Sequence, residues 1–248
     1  MRFYIIAMQF LTIIPLPFTV RCEKEDLGRS TALFPLAGLT IGAILLGLNW
    51  LISPWLVRSL CDALLIVALS LLTGGLHLDG LADVCDGLAA RGGRERFLMV
   101  MKDSQVGAVG AVGLVLGLLL KWQALVAIPI ELKWQALLLF PLLARFGQVL
   151  SLTWARHARQ DGLGAAFVQG TGGVVLLLAF ISAASASALL LGFKGVIALS
   201  AVCLLTGAGR LFFQRRLGGL TGDTVGCISE LNEIIALIII SAVSQKLF

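Results

Sequence analysis

Charge is scarce in this chain. Only 13% of its 248 residues are Asp, Glu, Lys or Arg, about half the share usual in soluble domains. Histidine occurs twice and tyrosine once. A broad hydrated surface is therefore excluded. The five cysteines, Cys22, Cys61, Cys85, Cys203 and Cys227, form no CxxC pair and are odd in number. Neither a disulfide framework nor a zinc site is indicated. Linkers and low-complexity tracts are absent, and the one short repeat, Lys-Trp-Gln-Ala-Leu at 121–125 and 133–137, has the composition of two matching interface anchors.

Apolar residues take the place of charge. Hydrophobic side chains make up 58% of the sequence and glycines number 28, with a mean hydropathy of +0.98. These values predict an all-α polytopic membrane protein, a single integral domain over 1–248. Apolar segments fall at about 33–56, 60–77, 106–127, 134–154, 172–193, 196–213 and 225–244. Each is near the ~20 residues that cross a bilayer, the second and sixth being short. About seven transmembrane helices are expected. The N-terminal run to Phe18 is broken by Pro15 and Pro17 and lacks a small-residue cleavage site, so it reads as an interfacial or re-entrant helix, not a signal peptide.

Seven spans place alternate loops on opposite sides. Fourteen of the nineteen basic residues fall on the side that holds 78–105, 155–171 and 214–224. That bias makes it the cytoplasmic side. Trp50, Trp55, Trp122 and Trp134 lie near the other side, as an interfacial belt does. The net charge of +5 reflects these basic loops and phosphate handling, with no nucleic acid implied. The polar clusters with chemical potential also lie on the basic side, which suits an enzyme with one working face better than a transporter open to both.

The densest cluster is Gly74-Gly75-Leu76-His77-Leu78-Asp79-Gly80-Leu81-Ala82-Asp83-Val84-Cys85-Asp86-Gly87. At ~100° per residue on a helix, Asp79, Asp83 and Asp86 fall within about 60° of one another. Three carboxylates on one face call for a cation, and Mg²⁺ takes hard oxygen ligands and bridges them to substrate phosphates. Gly80 and Gly87 leave room beside that face, and Cys85 reads as a packing residue. His77 is a proton acceptor or a partner of the acids. Arg91, Arg94, Arg96 and Lys102 follow, then Asp103 and Ser104. Acids for metal followed by bases for phosphate suit phosphoryl transfer, while anchoring to anionic headgroups is the plainer reading of Arg94 and Arg96.

A second cluster runs from Gly218 to Gly226 through Thr221 and Asp223, followed by Glu230, Asn232 and Glu233. Its glycines free backbone N–H groups for an anion. Asp223 and Glu230 share a helical face, and glutamates inside an apolar span point to a polar interior. Arg145, one helical face from Gln148, needs a buried partner. The loop Arg156-His157-Ala158-Arg159-Gln160-Asp161 either touches a polar substrate or is simply charged.

These residues resemble a known family. Leu76 to Leu88, with Met101-Lys102-Asp103-Ser104 and Gly107, is similar to the adenosylcobinamide-GDP ribazoletransferases, also called cobalamin synthases or cobalamin-5′-phosphate synthases. Phe10-Leu11-Thr12-Ile13-Ile14-Pro15-Leu16-Pro17, Phe34-Pro35-Leu36-Ala37-Gly38 and Gly218-Gly219-Leu220-Thr221-Gly222-Asp223 extend the likeness over the chain. The resemblance implies that a hydroxyl of α-ribazole, or of its 5′-phosphate, attacks the cobinamide-linked phosphorus of adenosylcobinamide-GDP. GMP leaves, with Mg²⁺ as cofactor, at the cytoplasmic face of a bacterial inner membrane. A homo-oligomer, or association with other cobalamin-assembly enzymes, is compatible with it. The expected catalytic residues are Asp79, Asp83, Asp86, Asp103 and His77. The three aspartates of the helix are the metal ligands. Arg91, Lys102, Ser104, Thr221, Asp223, Glu230 and Glu233 are expected at the substrate and its phosphates. Asp83-x-x-Asp86-Gly87-x-x-Ala90-Arg91 also matches the first half of the CDP-alcohol phosphotransferase signature. The second half would need glycine at Val100 and aspartates at Ser104 and Ala108. Phospholipid synthesis is therefore the alternative enzyme, and a corrinoid transporter or binding protein the non-enzymatic one.

Overall fold

The computed structural model describes residues 1–17, 20, 23–156, 158, 167 and 170–245. Among them the regular elements are helices: α1 (Arg2–Leu11), α2 (Lys24–Ser30), α3 (Phe34–Ile52), α4 (Arg58–Leu72), α5 (Leu76–Ala89), α6 (Arg94–Val100), α7 (Ala108–Val126), α8 (Lys133–Leu152), α9 (Gly173–Leu191), α10 (Phe193–Leu217) and α11 (Gly222–Gln245). Six helical stretches among the described residues are long and apolar enough to cross a membrane, or seven if a bent pair is one span. The fold is that of a polytopic helical membrane protein.

The bent pair is α4 and α5, which meet at 91°. At 1.5 Å per residue the 15 residues of α4 reach about 22 Å, short of the ~30 Å hydrocarbon layer. The second expected span therefore ends at Leu72. Gly74 and Gly75 then adopt left-handed φ of 60° and 69°, open to glycine without steric cost, and turn the chain into the acidic helix. The N-terminal segment forms α1, which buries Ile6, Ala7, Met8 and Leu11. Most of the loop at 156–164, including His157, lies outside the described residues.

Two helices carry the centre. About 83% of the apolar window of α8 and 67% of that of α11 is buried, against 22% for α9 and 28% each for α7 and α10. The reason is compositional. Helix α8 holds Lys133, Arg145, Gln148 and Ser151, and α11 holds Glu230, Asn232 and Glu233, all buried. Such side chains must face protein, because lipid offers them no partner. The more peripheral helices present apolar side chains such as Val112, Leu177 and Leu204 outward. Gly38 and Gly42 let α3 lie directly on α8, with a Cβ at either position only 2.5 Å from the carbonyl oxygen of Pro141 or Leu137. Such small-residue seams replace the hydrophobic drive that membranes do not supply.

Contacts hold the two ends of the bundle together separately. At one end Arg210 donates to the carbonyls of Thr153 and Trp154 (2.7 and 2.8 Å). At the other, Arg58 donates to the Ile128 carbonyl and Trp122 Nε1 to that of Ser59 (2.9 Å). The first is the basic end of the sequence, and the acidic helix sits there.

Candidate active site

Helix α5 lies with His77, Gly80, Leu81, Val84 and Gly87 inward. Asp79 is exposed, and Asp83 and Asp86 are half-buried. Asp86 is engaged by the next span. Its Oδ2 accepts from Gly107 N at 2.7 Å and its Oδ1 from Gly110 N at 2.8 Å. It thus satisfies first-turn N–H groups of α7, which no intrahelical partner can reach, and its charge suits the positive end of that helix. A Cβ at Gly107 would stand 2.5 Å from Asp86 Oδ1, so this glycine is a condition of the contact. Cys85 packs on Gly113 of α7, as a packing residue does.

Helix α11 meets α5 almost backbone to backbone. A Cβ at Gly80 would lie 2.5 Å from the carbonyl oxygen of Asp223 and 3.0 Å from its Cα. One turn on, Gly226 faces the His77 backbone. The first turn of α11 is held by a reciprocal pair: Thr221 N donates to Thr224 Oγ1 (2.8 Å), and Thr224 N to Thr221 Oγ1 (3.2 Å). The glycine-rich turn is also tied down, since Leu220 N donates to the Arg156 carbonyl (2.8 Å) and Ala158 N to that of Leu220 (3.0 Å). Two expectations change here. Thr221, expected at the substrate, is a buried helix cap, and one of the freed N–H groups, that of Leu220, is already paired.

Between α5 and α7 the expected phosphate-side residues Arg91, Lys102 and Ser104 and the expected catalytic Asp103 are exposed. Asp103 Oδ1 accepts from Gln105 N (3.1 Å), a local turn. Arg94 donates to the Ala158 carbonyl (2.9 Å), and Arg216 to that of Gly92 (3.4 Å). The connection is thus tied in both directions, by Arg94 to the chain beside Leu220 and by Arg216 of α10 to Gly92.

Three expected site residues lie elsewhere. Glu230 and Glu233 are 4% and 1% exposed and belong to the interior. Lys121 Nζ is 2.5 Å from Glu230 Oε2 and 2.6 Å from Glu233 Oε2, and Arg145 pairs with Glu233 Oε1. Two acids and two bases neutralise one another in the bundle interior. His77 is buried on the far side of α5 from the acids. Gln148 Nε2 donates to its Nε2 (2.8 Å) and to Ser229 Oγ (2.7 Å). It joins the interior network. The sequence also misplaced the two repeat lysines. Lys121 and Lys133 are both buried, the latter 2.5 Å from Asp62 Oδ1. The available signal was the surplus of acids within apolar spans, each of which needs a base.

A cavity of 590 Å³ opens beside the acidic face. The end of α1, the Gly74–Gly75 turn, α5 and the start of α7 line it, and Asp79 is part of its wall. No three His, Cys, Asp or Glu side chains among the described residues are gathered as a metal site. The expected trio is therefore not a preformed cage. Mg²⁺ does not demand one, because one or two carboxylates plus substrate phosphates commonly hold it. Asp79 and Asp83, one helical turn apart with Asp79 on the cavity wall, fit that donor set. Asp86, with a backbone N–H on each oxygen, is the helix cap.

Comparison with known proteins gives a consistent result. Residues 3–241 match the family model described as cobalamin-5-phosphate synthase. A protein of Geotalea daltonii named adenosylcobinamide-GDP ribazoletransferase is 55% identical, over 99% of each chain. Proteins of the same name from Pseudomonas syringae pv. syringae and Acetivibrio thermocellus are 40% and 35% identical, the first over 94% of this chain and 96% of its own and the second over 95% of each. No solved structure matches.

Proposed function

As the chain belongs to the cobalamin-5-phosphate synthase family and is an adenosylcobinamide-GDP ribazoletransferase, we propose that it joins the phosphocobinamide group of adenosylcobinamide-GDP to α-ribazole or its 5′-phosphate. A ribazole hydroxyl oxygen forms a new bond to the cobinamide-linked phosphorus. The bond from that phosphorus to the bridging oxygen breaks, and GMP leaves with that oxygen. One observation carries this reading: the acidic helix meets the first turn of α11 at Gly80 and Asp223, beside a cavity whose wall includes Asp79.

Asp79 and Asp83 would hold Mg²⁺, which supplies charge neutralisation at the diphosphate and a more electrophilic phosphorus. Arg91 and Lys102, exposed after α5, attract the diphosphate and stabilise charge on departing GMP. Asp223 belongs to the site from the other half of the chain, and it orients the attacking hydroxyl and takes its proton. Asp86 holds α7 in place beneath the acids. The basic asymmetry of the loops sets this end of the bundle in the cytoplasm, with the protein in the bacterial inner membrane.

The test is direct. Purified protein in detergent or liposomes, given adenosylcobinamide-GDP, α-ribazole and Mg²⁺, releases GMP and forms adenosylcobalamin in equal amounts. GMP release that does not depend on α-ribazole would make the chain a hydrolase instead.

A further inference from the structure

The cavity suits one of the two reactants. Phe10, Leu78, Val106 and Leu114 give it apolar walls, and Thr12 and Thr73 contribute hydroxyls. Asp79 is the one charged residue in the described lining, which contains no Lys or Arg. Both threonines donate their protons to helix carbonyls, Thr12 to Met8 (2.7 Å) and Thr73 to Leu69 (3.0 Å). Thr12 Oγ1 also accepts from Ile14 N (3.4 Å), and with its proton engaged the Thr73 hydroxyl is left with acceptor capacity. Phe10 is held by its neighbours, with ring centroids 4.4 Å from Phe167 and 6.0 Å from Phe34.

We propose that this cavity is the acceptor site. It receives the benzimidazole riboside, base against the apolar wall and sugar toward Asp79. This rests on the ribazole-transfer reading above. Size supports it: pockets of about 300–1,000 Å³ enclose ligands of drug size, which a nucleoside is and a nucleotide-linked corrinoid is not. Charge supports it too. The described lining offers no Lys or Arg to grip phosphate oxygens, and Arg91, Arg94 and Arg96 lie outside the cavity on the connection after α5. The base completes the argument. A guanine edge buried against Leu78, Val106 and Leu114 would lose hydrogen bonds to water without replacement. A benzimidazole has no exocyclic polar group to strand, and Phe10 offers it an aromatic neighbour. The sugar then stands at Asp79, where its hydroxyl meets the phosphorus arriving from the basic side.

Leu114→Trp and Ile13→Trp narrow the cavity from α7 and from the segment after α1. Val112→Trp adds the same ring on the exposed face of α7 and is the control. Both cavity variants are expected to raise KM for α-ribazole at least about tenfold while KM for adenosylcobinamide-GDP stays within about twofold. Binding of α-ribazole alone should weaken in parallel, and Val112→Trp should match the parent protein. A photoreactive azidobenzimidazole riboside, applied to the unaltered protein, should label residues within 9–13, 73–82 or 106–114. A rise in KM for the nucleotide substrate alone, unchanged constants in both folded cavity variants, or labelling elsewhere would overturn the assignment. If the unaltered protein releases no GMP yet binds α-ribazole, and both cavity variants lose that binding, the transfer reading fails and the cavity assignment stands.

Discussion

Gly80 and Asp223, far apart in the chain, lie backbone to backbone: a methyl group at Gly80 would sit 2.5 Å from the Asp223 carbonyl oxygen. Backbone cannot yield as a flexible side chain can, so Gly80→Ala should push α11 off α5. Overpacking of this kind costs about 1–3 kcal/mol. A lower melting temperature and a large loss of GMP release are expected. Gly226→Ala, where the nearest backbone atom is at 3.4 Å, should be far milder. Equal effects at the two positions would contradict the close approach.

The three aspartates of α5 should separate by phenotype. Asp79→Asn and Asp83→Asn should each cut kcat by about two orders of magnitude or more and leave thermal stability unchanged. Chelation with EDTA should abolish turnover in the parent protein, and Mg²⁺ should restore it. Asp86→Ala removes the cap on α7, at a cost of about 1–2 kcal/mol, visible as a lowered melting temperature.

Thr221 and Asp223 provide a second contrast. Thr221→Ala should cost about 1 kcal/mol of stability through the lost cap and keep kcat near normal. Asp223→Asn should do the opposite, with turnover sharply reduced and melting unchanged. Intact turnover in Asp223→Asn would remove it from the site.

Glu233 touches both Lys121 and Arg145. Glu233→Ala leaves two buried cations with only Glu230 between them. Breaking such a pair costs about 3–5 kcal/mol. Loss of folded protein in a detergent thermal-shift assay is expected, with the parent's KM values in whatever remains folded. A stable Glu233→Ala protein with altered KM would place Glu233 at the substrate after all.

The working end should be cytoplasmic. Reporters active only in the periplasm should report from the turn near Lys194 and from the C-terminus, and should be silent within 92–105. The reverse pattern would invert the orientation.

Much of the fold was legible because span length and hydropathy are local. Helices α3, α7, α8, α9, α10 and α11 fall where the apolar segments predicted. The acidic helix was legible for the same reason, since the spacing of Asp79, Asp83 and Asp86 fixes their shared face as soon as the segment is helical. The break at Gly74–Gly75 was only half visible: the segment was short, but nothing local fixed a 91° bend. The charged interior was misread at Lys121 and Lys133. Beside tryptophan near a span end, a lysine has the composition of an interface anchor whether it points out or in.

The sequence by itself determined a membrane-spanning helical protein with most of its acids and bases at one end, because hydropathy and residue spacing act along the chain. Tertiary structure alone decided which carboxylates are available. Asp86 goes to the start of α7, Glu230 and Glu233 to Lys121 and Arg145, and Asp79 to a cavity. Each outcome depends on which distant helix lies within hydrogen-bonding reach. That follows from glycine seams such as Gly80 against Asp223, where the absence of a side chain lets two backbones touch.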